Sequence, residues 1–296
     1  MAYNERYDVL YLERFIAAPE GFALYKPVSA KKLKPGVCGY FDHNGDWQII
    51  VDLENPDEVV RDGWKPAGTV KVSPDPGKDI WGAMVSECIV KFPIKVDVQV
   101  NVPNTPARVG FKVGYDHKED TGGILVTKGE VMHHQIDPLS STKAKNWFIT
   151  NAEMILQRYE TTKKKGIFVV TKTYTAKERA VALLMSKEIS VSFGVDVDLA
   201  SIGKIAPEVG WWRSQKEEVW KLHQNDDGVV VFMSGWYWRP KLLRKKIKPT
   251  EEKPKQKKFL GEGNKYGTLE YQFSPDDENL EIVTLIPEKL GEFDEE

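Results

Sequence analysis

The sequence predicts an α+β fold in which short helices accompany a mostly antiparallel sheet. Thirteen residues, Val90–Val102, alternate between apolar and polar without a break except for one proline on the polar side. This is the period-two pattern of a strand with one apolar face. Similar alternation recurs in Arg108–Asp116 and Glu188–Ala200, and Asn44-Gly45 between two apolar runs is a strong hairpin signal. Strands joined by short turns pair antiparallel, which gives the fold class.

The composition is that of an ordinary globular protein, with 296 residues, 41% of them hydrophobic and 29% charged. No window approaches the roughly 18 apolar residues of a transmembrane helix, and the N-terminus lacks the basic and apolar regions of a signal peptide. Cys38 and Cys88 stand alone, so we predict free thiols, with one disulfide as the alternative. We expect a protein that is cytoplasmic at rest.

The charge is unevenly distributed, although the net charge is only −2. Phe259–Glu296 contains two basic and eleven acidic residues, a net charge of −9, which leaves +7 on Met1–Lys258. Within that body, Arg239–Lys258 holds ten basic residues and two acidic ones. A solvated linker with a solubilising tail explains this pattern. So does a tail that masks a basic surface meant for an anionic partner.

Three elements are predicted in the first quarter of the chain. Apolar and aromatic residues at helical spacing predict a helix from about Glu5 to Ala17. The two apolar runs around His43–Asp46 predict a hairpin. A short helix is predicted around Pro56–Arg61, in a segment where prolines and glycines mark turns.

Two further hairpins are predicted next. An Asn-Thr-Pro-Ala turn joins Val90–Val102 to Arg108–Asp116, so these segments form one long amphipathic hairpin. A shorter hairpin is predicted around Lys128–Gly129. Ser141–Glu160 fits either a strand or a helix.

A strand, a short helix and a long strand are predicted in the second half of the body. Gly166–Thr175 has the β-branched content of a strand, and Ala176–Lys187 is rich in good helix formers. Glu188–Ala200 then alternates between apolar and polar or small residues. A last strand, Gly228–Pro240, closes the body.

No pattern of catalytic residues stands out. The chain has no dinucleotide-binding, P-loop, nucleophile-elbow or zinc-protease motif. His133 and His134 are adjacent and point to opposite faces of a strand, so they cannot chelate one metal together. Asp196 and Asp198 share a strand face but lack clustered partners. The basic segment after Arg239 offers no aromatic platform for bases. We expect no enzyme, cofactor, metal or nucleic acid.

The alternating strands are long enough to cross a bilayer. A transmembrane strand takes about 9 to 11 tilted residues that alternate between apolar and polar. Val90–Val102, Arg108–Asp116 and Glu188–Ala200 meet or approach that length, and Gly166–Thr175 is the weakest of the four. A soluble sandwich produces the same alternation. Pro93 counts against insertion, because a closed barrel has no free edge for a residue without an N–H group.

The order of these segments resembles the gasdermin family, especially the short gasdermin-like proteins of fungi. Lys163–Ile205 is similar to the second membrane hairpin of that family, and Asp226–Pro240 to the strand that ends its pore-forming domain. Gly39–Leu53 resembles its early hairpin, and Val90–Asp116 occupies the place of its first membrane hairpin. The resemblance covers about Tyr7 to Pro240.

The resemblance implies a pore-forming cell-death effector with a twisted sheet. Such proteins bind acidic lipids once released, oligomerise, and insert two hairpins per subunit into a transmembrane β-barrel. Carried over by position, one hairpin is Val90–Val102 with Arg108–Tyr115, and the other is Phe168–Tyr174 with Ile189–Leu199. The residues that would enter the membrane are Val90, Phe92, Ile94, Val96, Val98, Val100, Val109, Phe111, Val113, Phe168, Val170, Ile189, Val191, Phe193, Val195, Val197 and Leu199.

The resemblance also implies a division of the chain. Residues 1–240 would be the pore-forming domain, 241–263 a basic linker and 264–296 an acidic tail that inhibits. Activation would come from a protease or from an allelic homologue, with cleavage near Lys257, Lys258, Phe259 and Leu260. The N-terminal helix is charge-balanced, which departs from the family pattern. The lipid contacts are therefore expected at Lys31, Lys32, Lys34, Arg239, Lys241, Arg244, Lys245 and Lys246.

Two alternatives from other classes remain open at this point. One is a β-rich module that binds lipid or carbohydrate and never inserts. The other is an enzyme without a recognised motif, for which a deep pocket lined by ionisable groups would be the structural sign.

Overall fold

A computed structural model describes residues 7–15, 18–86, 89–94, 108–117, 121–185, 191–198, 220–246, 259–260, 269–273 and 279–290. The helices are α1 (Tyr7–Arg14), α2 (Pro56–Arg61), α3 (Pro138–Arg158) and α4 (Thr162–Lys165). The strands are β1 (Phe22–Ala23), β2 (Val37–Phe41), β3 (Trp47–Asp52), β4 (Gly77–Ile80), β5 (Met84–Val85), β6 (Ile89–Ile94), β7 (Arg108–His117), β8 (Gly122–Lys128), β9 (Glu130–Gln135), β10 (Ile167–Leu184), β11 (Val191–Asp198), β12 (Trp220–Lys246), β13 (Phe259–Leu260), β14 (Leu269–Phe273) and β15 (Asn279–Leu290).

These strands form an open twelve-stranded sheet and a separate three-stranded sheet. The main path of the larger sheet runs β13-β14-β15-β12-β10-β2-β3, so β13 and β3 lie at its two ends. The smaller sheet has the order β11-β7-β6. Every strand pairing in the described part of the chain is antiparallel. The predicted α+β class with a mostly antiparallel sheet is confirmed.

Three predictions for the N-terminal part are confirmed. α1 lies inside the predicted helix, and β2 and β3 form the hairpin around the Asn-Gly turn. α2 has the predicted bounds, because the Asn55 side chain accepts a hydrogen bond from the Glu58 N–H and a proline begins the helix.

Strand β10 forms the centre of the larger sheet, and it corrects the prediction of a helix at Ala176–Lys187. Its eighteen residues continue as a strand to Leu184, paired with β12 on one side and with β8 on the other. Ala180, Val181 and Ala182 are fully buried. Helix propensity is a weak preference of well under 1 kcal/mol per residue, so burial between two neighbouring strands outweighs it here.

The predicted hairpin around Lys128–Gly129 is also wrong. β8 and β9 do not pair with each other but follow one another along the same side of β10. Gly129 between them has a φ of +75°, a conformation that glycine adopts without a Cβ clash. The glycine therefore interrupts one long strand instead of reversing it.

Helix α3 resolves the segment that fits either a strand or a helix, and it is longer than the short helices expected. The Asp137 carboxylate accepts a hydrogen bond from the Ser140 N–H at 2.9 Å, and Pro138 begins the helix. Its buried face covers the larger sheet through Trp147, Phe148 and Ile155, and the Phe148 ring stacks on Trp238 of β12 with centroids 3.7 Å apart. The main hydrophobic core lies between α3 and the sheet.

Candidate functional site

The three-stranded sheet contains the described part of the first predicted hairpin. β6 pairs with β7 from Ile89 opposite His117 to Ile94 opposite Lys112. This pairing is the one predicted for Val90–Val102 and Arg108–Asp116, of which residues 95–107 lie outside the described part.

The second membrane hairpin stays a prediction for the inserted state, because in this conformation the described parts of its two strands pair with other strands. β11 pairs with β7, from Val191 opposite Tyr115 to Asp198 opposite Arg108. Phe168–Tyr174 lies instead at the start of β10, between β12 and strands β2 and β9. The reason is its composition, since Ile167–Val170 is apolar on both faces, as a central buried strand requires.

The registers of the small sheet decide which residues share a face. Directly opposite residues of an antiparallel pair lie on the same face. Between β11 and β7, apolar positions face apolar positions, as in Phe193 opposite Val113 and Val195 opposite Phe111. The two strands together therefore present one apolar and one polar face.

Strand β6 is out of phase with that arrangement. Phe92 lies opposite Gly114, and Ile94 lies opposite Lys112, so the apolar positions of β6 share a face with the polar positions of β7. A shift of one residue in either direction would bring all three strands into phase, because such a shift moves every residue to the other face. β6 is also the outer strand of this sheet, which accommodates Pro93 at an edge.

The residues predicted to enter the membrane are thus divided among three locations. Phe168 and Val170 are 5% and 1% exposed in the core of the larger sheet, and their assignment to a membrane hairpin stays a prediction. Five others lie outside the described residues: Val96, Val98, Val100, Ile189 and Leu199. The rest lie in the small sheet: Val90, Phe92, Ile94, Val109, Phe111, Val113, Val191, Phe193, Val195 and Val197.

The C-terminal tail forms part of the larger sheet. β15 pairs with the last part of β12 over twelve positions, from Gly235 opposite Leu290 to Lys246 opposite Asn279, and β14 pairs with β15. Val283 and Leu285 are fully buried in the core beneath α3. Tyr271 is 4% exposed there, and burial raises the pKa of its phenol well above the ordinary value. The tail is therefore held by strand pairing and by apolar packing.

This arrangement moves the boundary of the predicted basic linker. Lys241–Lys246 belongs to β12 and pairs with the tail, so these six residues are part of the sheet. Of the four predicted cleavage residues, Lys257 and Lys258 lie outside the described residues. Phe259 and Leu260 form β13 and pair with β14. Since a protease needs an extended, unpaired segment, Phe259 and Leu260 are poor cleavage positions in this conformation.

The basic residues predicted to contact lipids have different environments. The Lys34 ammonium lies 2.8 Å from both Asp52 and Glu54, and although burial opposes it, these hydrogen bonds raise the pKa of Lys34. Lys34 therefore joins two segments of the body and is a poor lipid contact. Lys31 forms an exposed ion pair with Asp227 at 2.9 Å, and Lys32 is exposed. The remaining five, Arg239, Lys241, Arg244, Lys245 and Lys246, lie on the part of β12 that pairs with the tail, where Arg239 and Lys241 are exposed.

Arg179 is a buried cation that no sequence pattern distinguishes. Its side chain is fully buried, and its guanidinium donates hydrogen bonds to the carbonyl oxygens of Leu24, Tyr25 and Val230. Burial lowers the pKa of Arg179 to about 10. Among the described residues, no carboxylate forms an ion pair with it and its Nε has no hydrogen-bond partner. Within a segment predicted as a helix, nothing distinguished it from an exposed arginine.

The described residues hold neither a cluster of metal ligands nor a membrane-spanning helix. No three His, Cys, Asp or Glu side chains there come together as metal ligands would. Across the same residues, no helix has the length and apolar character needed to span a bilayer.

Comparisons with known proteins found similarity to solved structures. No family model and no curated protein matches the chain. It is similar to a bacterial gasdermin from Bradyrhizobium tropiciagri, at 10% identity over 77% of this chain and 86% of that chain, with a TM-score of 0.31. It is also similar to the gasdermin A3 membrane pore, at 11% identity over 79% of this chain and 90% of that chain, with a TM-score of 0.29. Both are gasdermins, the family that the sequence resembles.

Proposed function

We propose that the protein is a gasdermin-like pore-forming effector that its own C-terminal tail holds inactive. The main support is the register between β7 and β11, which places apolar positions opposite apolar positions. These strands have ten and eight residues, share one apolar face, and belong to the separate three-stranded sheet. Strands of about 9 to 11 residues with one apolar face are what a bilayer requires. Val90–Val102 would add a third such strand once it is in phase.

Insertion then needs a change in β6. In the resting register, its apolar positions lie on the polar face of β7. A lysine such as Lys112 facing lipid at the bilayer centre costs about 2 to 4 kcal/mol. A one-residue shift of β6 removes this cost, and we propose that it accompanies insertion.

Release of the tail starts the process in this proposal. While the tail is covalently attached, its docking is intramolecular, at an effective concentration of about a millimolar for a short flexible linker. Cleavage between β12 and β14 turns docking into a bimolecular reaction that dilution reverses. The body left behind carries the positive charge of the chain, which attracts it to acidic lipids by about 1 kcal/mol per basic residue near the surface.

The partners follow from the same scheme. The chain rests in the cytoplasm, moves to the plasma membrane or another cell membrane, and assembles with further copies of itself. Lys31, Lys32, Arg239 and Lys241 are exposed at rest, and tail release would free the backbone edge of β12 beside its basic residues. The trigger is a protease or an allelic homologue.

The test uses the full-length chain with a protease recognition sequence inserted at Gly261–Gly263, between β13 and β14. We expect the cut protein to release dye from vesicles that contain phosphatidylserine, and the uncut protein to release little. Truncation at Pro240 would be a poor substitute, because it removes Lys241–Lys246 from strand β12. Cut protein that leaves anionic vesicles intact would contradict the proposal.

A lipid-binding module that does not insert is the second candidate. A cavity of about 250 Å³ lies between α1, the β2–β3 turn and the sheet, lined mainly by apolar residues that include Leu12, Phe22, Phe168 and Tyr237. In the same assay, this candidate predicts binding to the vesicles without dye release.

A further inference from the structure

We infer that the edge of β12 under the tail is the binding site for the β3 edge of a second copy of this chain. This inference rests on the tail release proposed above. It adds a specific interface between subunits, formed by two strand edges at opposite ends of one sheet.

The first edge is created when the tail leaves. β15 supplies the only neighbour of Gly235–Lys246 on that side of β12 among the described strands. Without it, twelve residues of backbone lose their partners, and Trp238 and Leu242 lose the cover of the tail. An unpaired edge of this length is a template for pairing with another strand.

The second edge is open in the resting protein. β3 ends the main path of the sheet, and in the described part of the chain its outer side pairs with no strand. Ile49 of β3 is 45% exposed, and Val60 of the neighbouring α2 is 62% exposed. Apolar side chains beside a free strand edge favour a protein partner.

The two edges carry opposite charge. Arg239–Lys246 of β12 has five basic residues and no acidic residue. Asp42–Asp62, which contains β3 and α2, has seven acidic residues and one basic residue. Lys26, Lys34 and Arg61 form ion pairs with five of these carboxylates, whereas Asp57 of α2 is exposed beside the half-buried Glu58 at the end of β3. Complementary charge fixes the choice of partner and speeds association.

The tail already shows how a strand binds this edge. β15 lies antiparallel to β12 and comes from a segment with a net charge of −9. It therefore occupies the place that the acidic β3 edge of a neighbour would take. Because the two edges differ, pairing leaves one of each free, and repetition builds a ring or a filament rather than a closed dimer.

Site-specific cross-linking tests this interface in the full-length chain with the protease site at Gly261–Gly263. One copy carries Ile49→Cys and a second, larger tagged copy carries Lys241→Cys, and the two are mixed with a short bis-maleimide. We expect a covalent heterodimer after cleavage and little before it. Asp75→Cys in place of Ile49→Cys is the matched control, and the chain with only its native Cys38 and Cys88 gives the background. Equal yields from Ile49→Cys and Asp75→Cys, or no heterodimer, would overturn the inference.

Charge reversal provides the second arm. Asp57→Lys with Glu58→Lys should lower the heterodimer yield about tenfold, equivalent to about 1.4 kcal/mol. Adding Arg244→Glu with Lys245→Glu to the other copy should restore it. The control pair Asp75→Lys with Asp79→Lys, away from β3, should change nothing. If reversal at Arg244 and Lys245 reduces only vesicle binding and leaves cross-linking unchanged, the edge serves the membrane and the inference is wrong.

Dye release measured in the same samples separates the two proposals. Leakage without the cross-link would overturn this interface and leave pore formation standing. The cross-link without leakage would support the interface and contradict pore formation.

Discussion

Arg179 joins the N-terminal segment to the centre of the sheet. It donates to the carbonyl oxygens of Leu24 and Tyr25, which follow β1, and to Val230 of β12. A planar guanidinium can reach three acceptors at once, whereas a lysine ammonium is a single point of charge. Backbone carbonyl oxygens take the place of a carboxylate beside the buried cation. Burial lowers the pKa of Arg179 to about 10, and the coulombic interaction with Tyr11 opposes that fall.

Replacement of Arg179 should therefore destabilise the fold. Arg179→Met leaves three buried carbonyl oxygens without a donor, and we expect the free energy of unfolding to fall by about 2 to 4 kcal/mol. Arg179→Lys should recover only part of this. Urea denaturation gives the measurement, with exposed Lys177→Met on the same strand as the control. Equal midpoints for Arg179→Met and Lys177→Met would show that the hydrogen bonds contribute little.

His223 should make stability depend on pH. It lies opposite Arg179 in the β10–β12 register, and desolvation together with Arg179 and Lys221 lowers the pKa of His223 to about 4. The unfolded chain takes up this proton near pH 6.5. The unfolded state thus binds more protons between about pH 6.5 and 4, so stability falls as the pH falls through that window.

His223→Gln should reduce that loss. We expect a smaller difference between the urea midpoints at pH 7 and pH 5 than in the unmodified chain. His133 and His134, whose pKa values burial also lowers, should retain part of the effect. His43→Gln, at an exposed turn, serves as the control. An unchanged difference after His223→Gln would mean that His223 is not the group responsible.

At the scale of elements, the sequence predicted those helices and strands that begin or end at recognisable capping or turn residues. Asn55 before Pro56 marked α2, and Asn44-Gly45 marked the β2–β3 turn. Asp137 before Pro138 was an equally clear helix start that the interpretation of Ser141–Glu160 did not use. The tail also alternates in Leu269, Tyr271 and Phe273, a strand signal that the charge of the segment obscured.

Pairing partners could not be predicted in the same way. The alternation of β11 is visible in the sequence, but its partner β7 is about eighty residues away along the chain and is chosen by the fold. Ala176–Leu184 has the composition of a helix and becomes a strand because β8 and β12 enclose it. Arg179 is buried for the same nonlocal reason.

The register of β6 gives a prediction at this scale. Lys91 and Tyr115 are opposite each other at rest, and Cα atoms of opposite residues are about 4.5 to 5.5 Å apart, within the range of a disulfide. Lys91→Cys with Tyr115→Cys should lock the resting register and block dye release by the cut chain until a reductant is added.

A control disulfide between β7 and β11 should not block dye release. Gly114→Cys with Ser192→Cys joins strands whose register already gives one apolar face. The cut chain with this disulfide should release dye with or without reductant. Release by the oxidised Lys91–Tyr115 variant would show that insertion does not need the shift of β6.

At the scale of the whole molecule, two contributions of different physical kinds stabilise the resting state. Apolar packing of Val283 and Leu285 does not depend on salt, whereas attraction between the basic body and the acidic tail weakens as salt screens it. The same basic charge is what an anionic membrane would attract once the tail is gone. Under the proposed function, the tail would compete with the membrane and with the neighbouring copy inferred above for this part of β12.

The division of charge between body and tail was visible in the sequence, but the way the tail docks was not. A solvated tail and a masking tail have the same composition. Only the pairing of β15 with Gly235–Lys246, with Leu285 buried beneath α3, distinguishes them.

The most direct test of the central claim is to hold the tail in place after its tether is cut. Lys241 and Thr284 are opposite each other in the β12–β15 register. The variant carries Lys241→Cys, Thr284→Cys and the protease site at Gly261–Gly263, and dye release from phosphatidylserine vesicles is followed before and after a reductant. Thr284→Cys alone is the control. We predict that the cut, oxidised protein releases no dye and that adding the reductant starts dye release. Release while the disulfide is intact, or silence after reduction, would contradict the claim that tail departure frees a pore former.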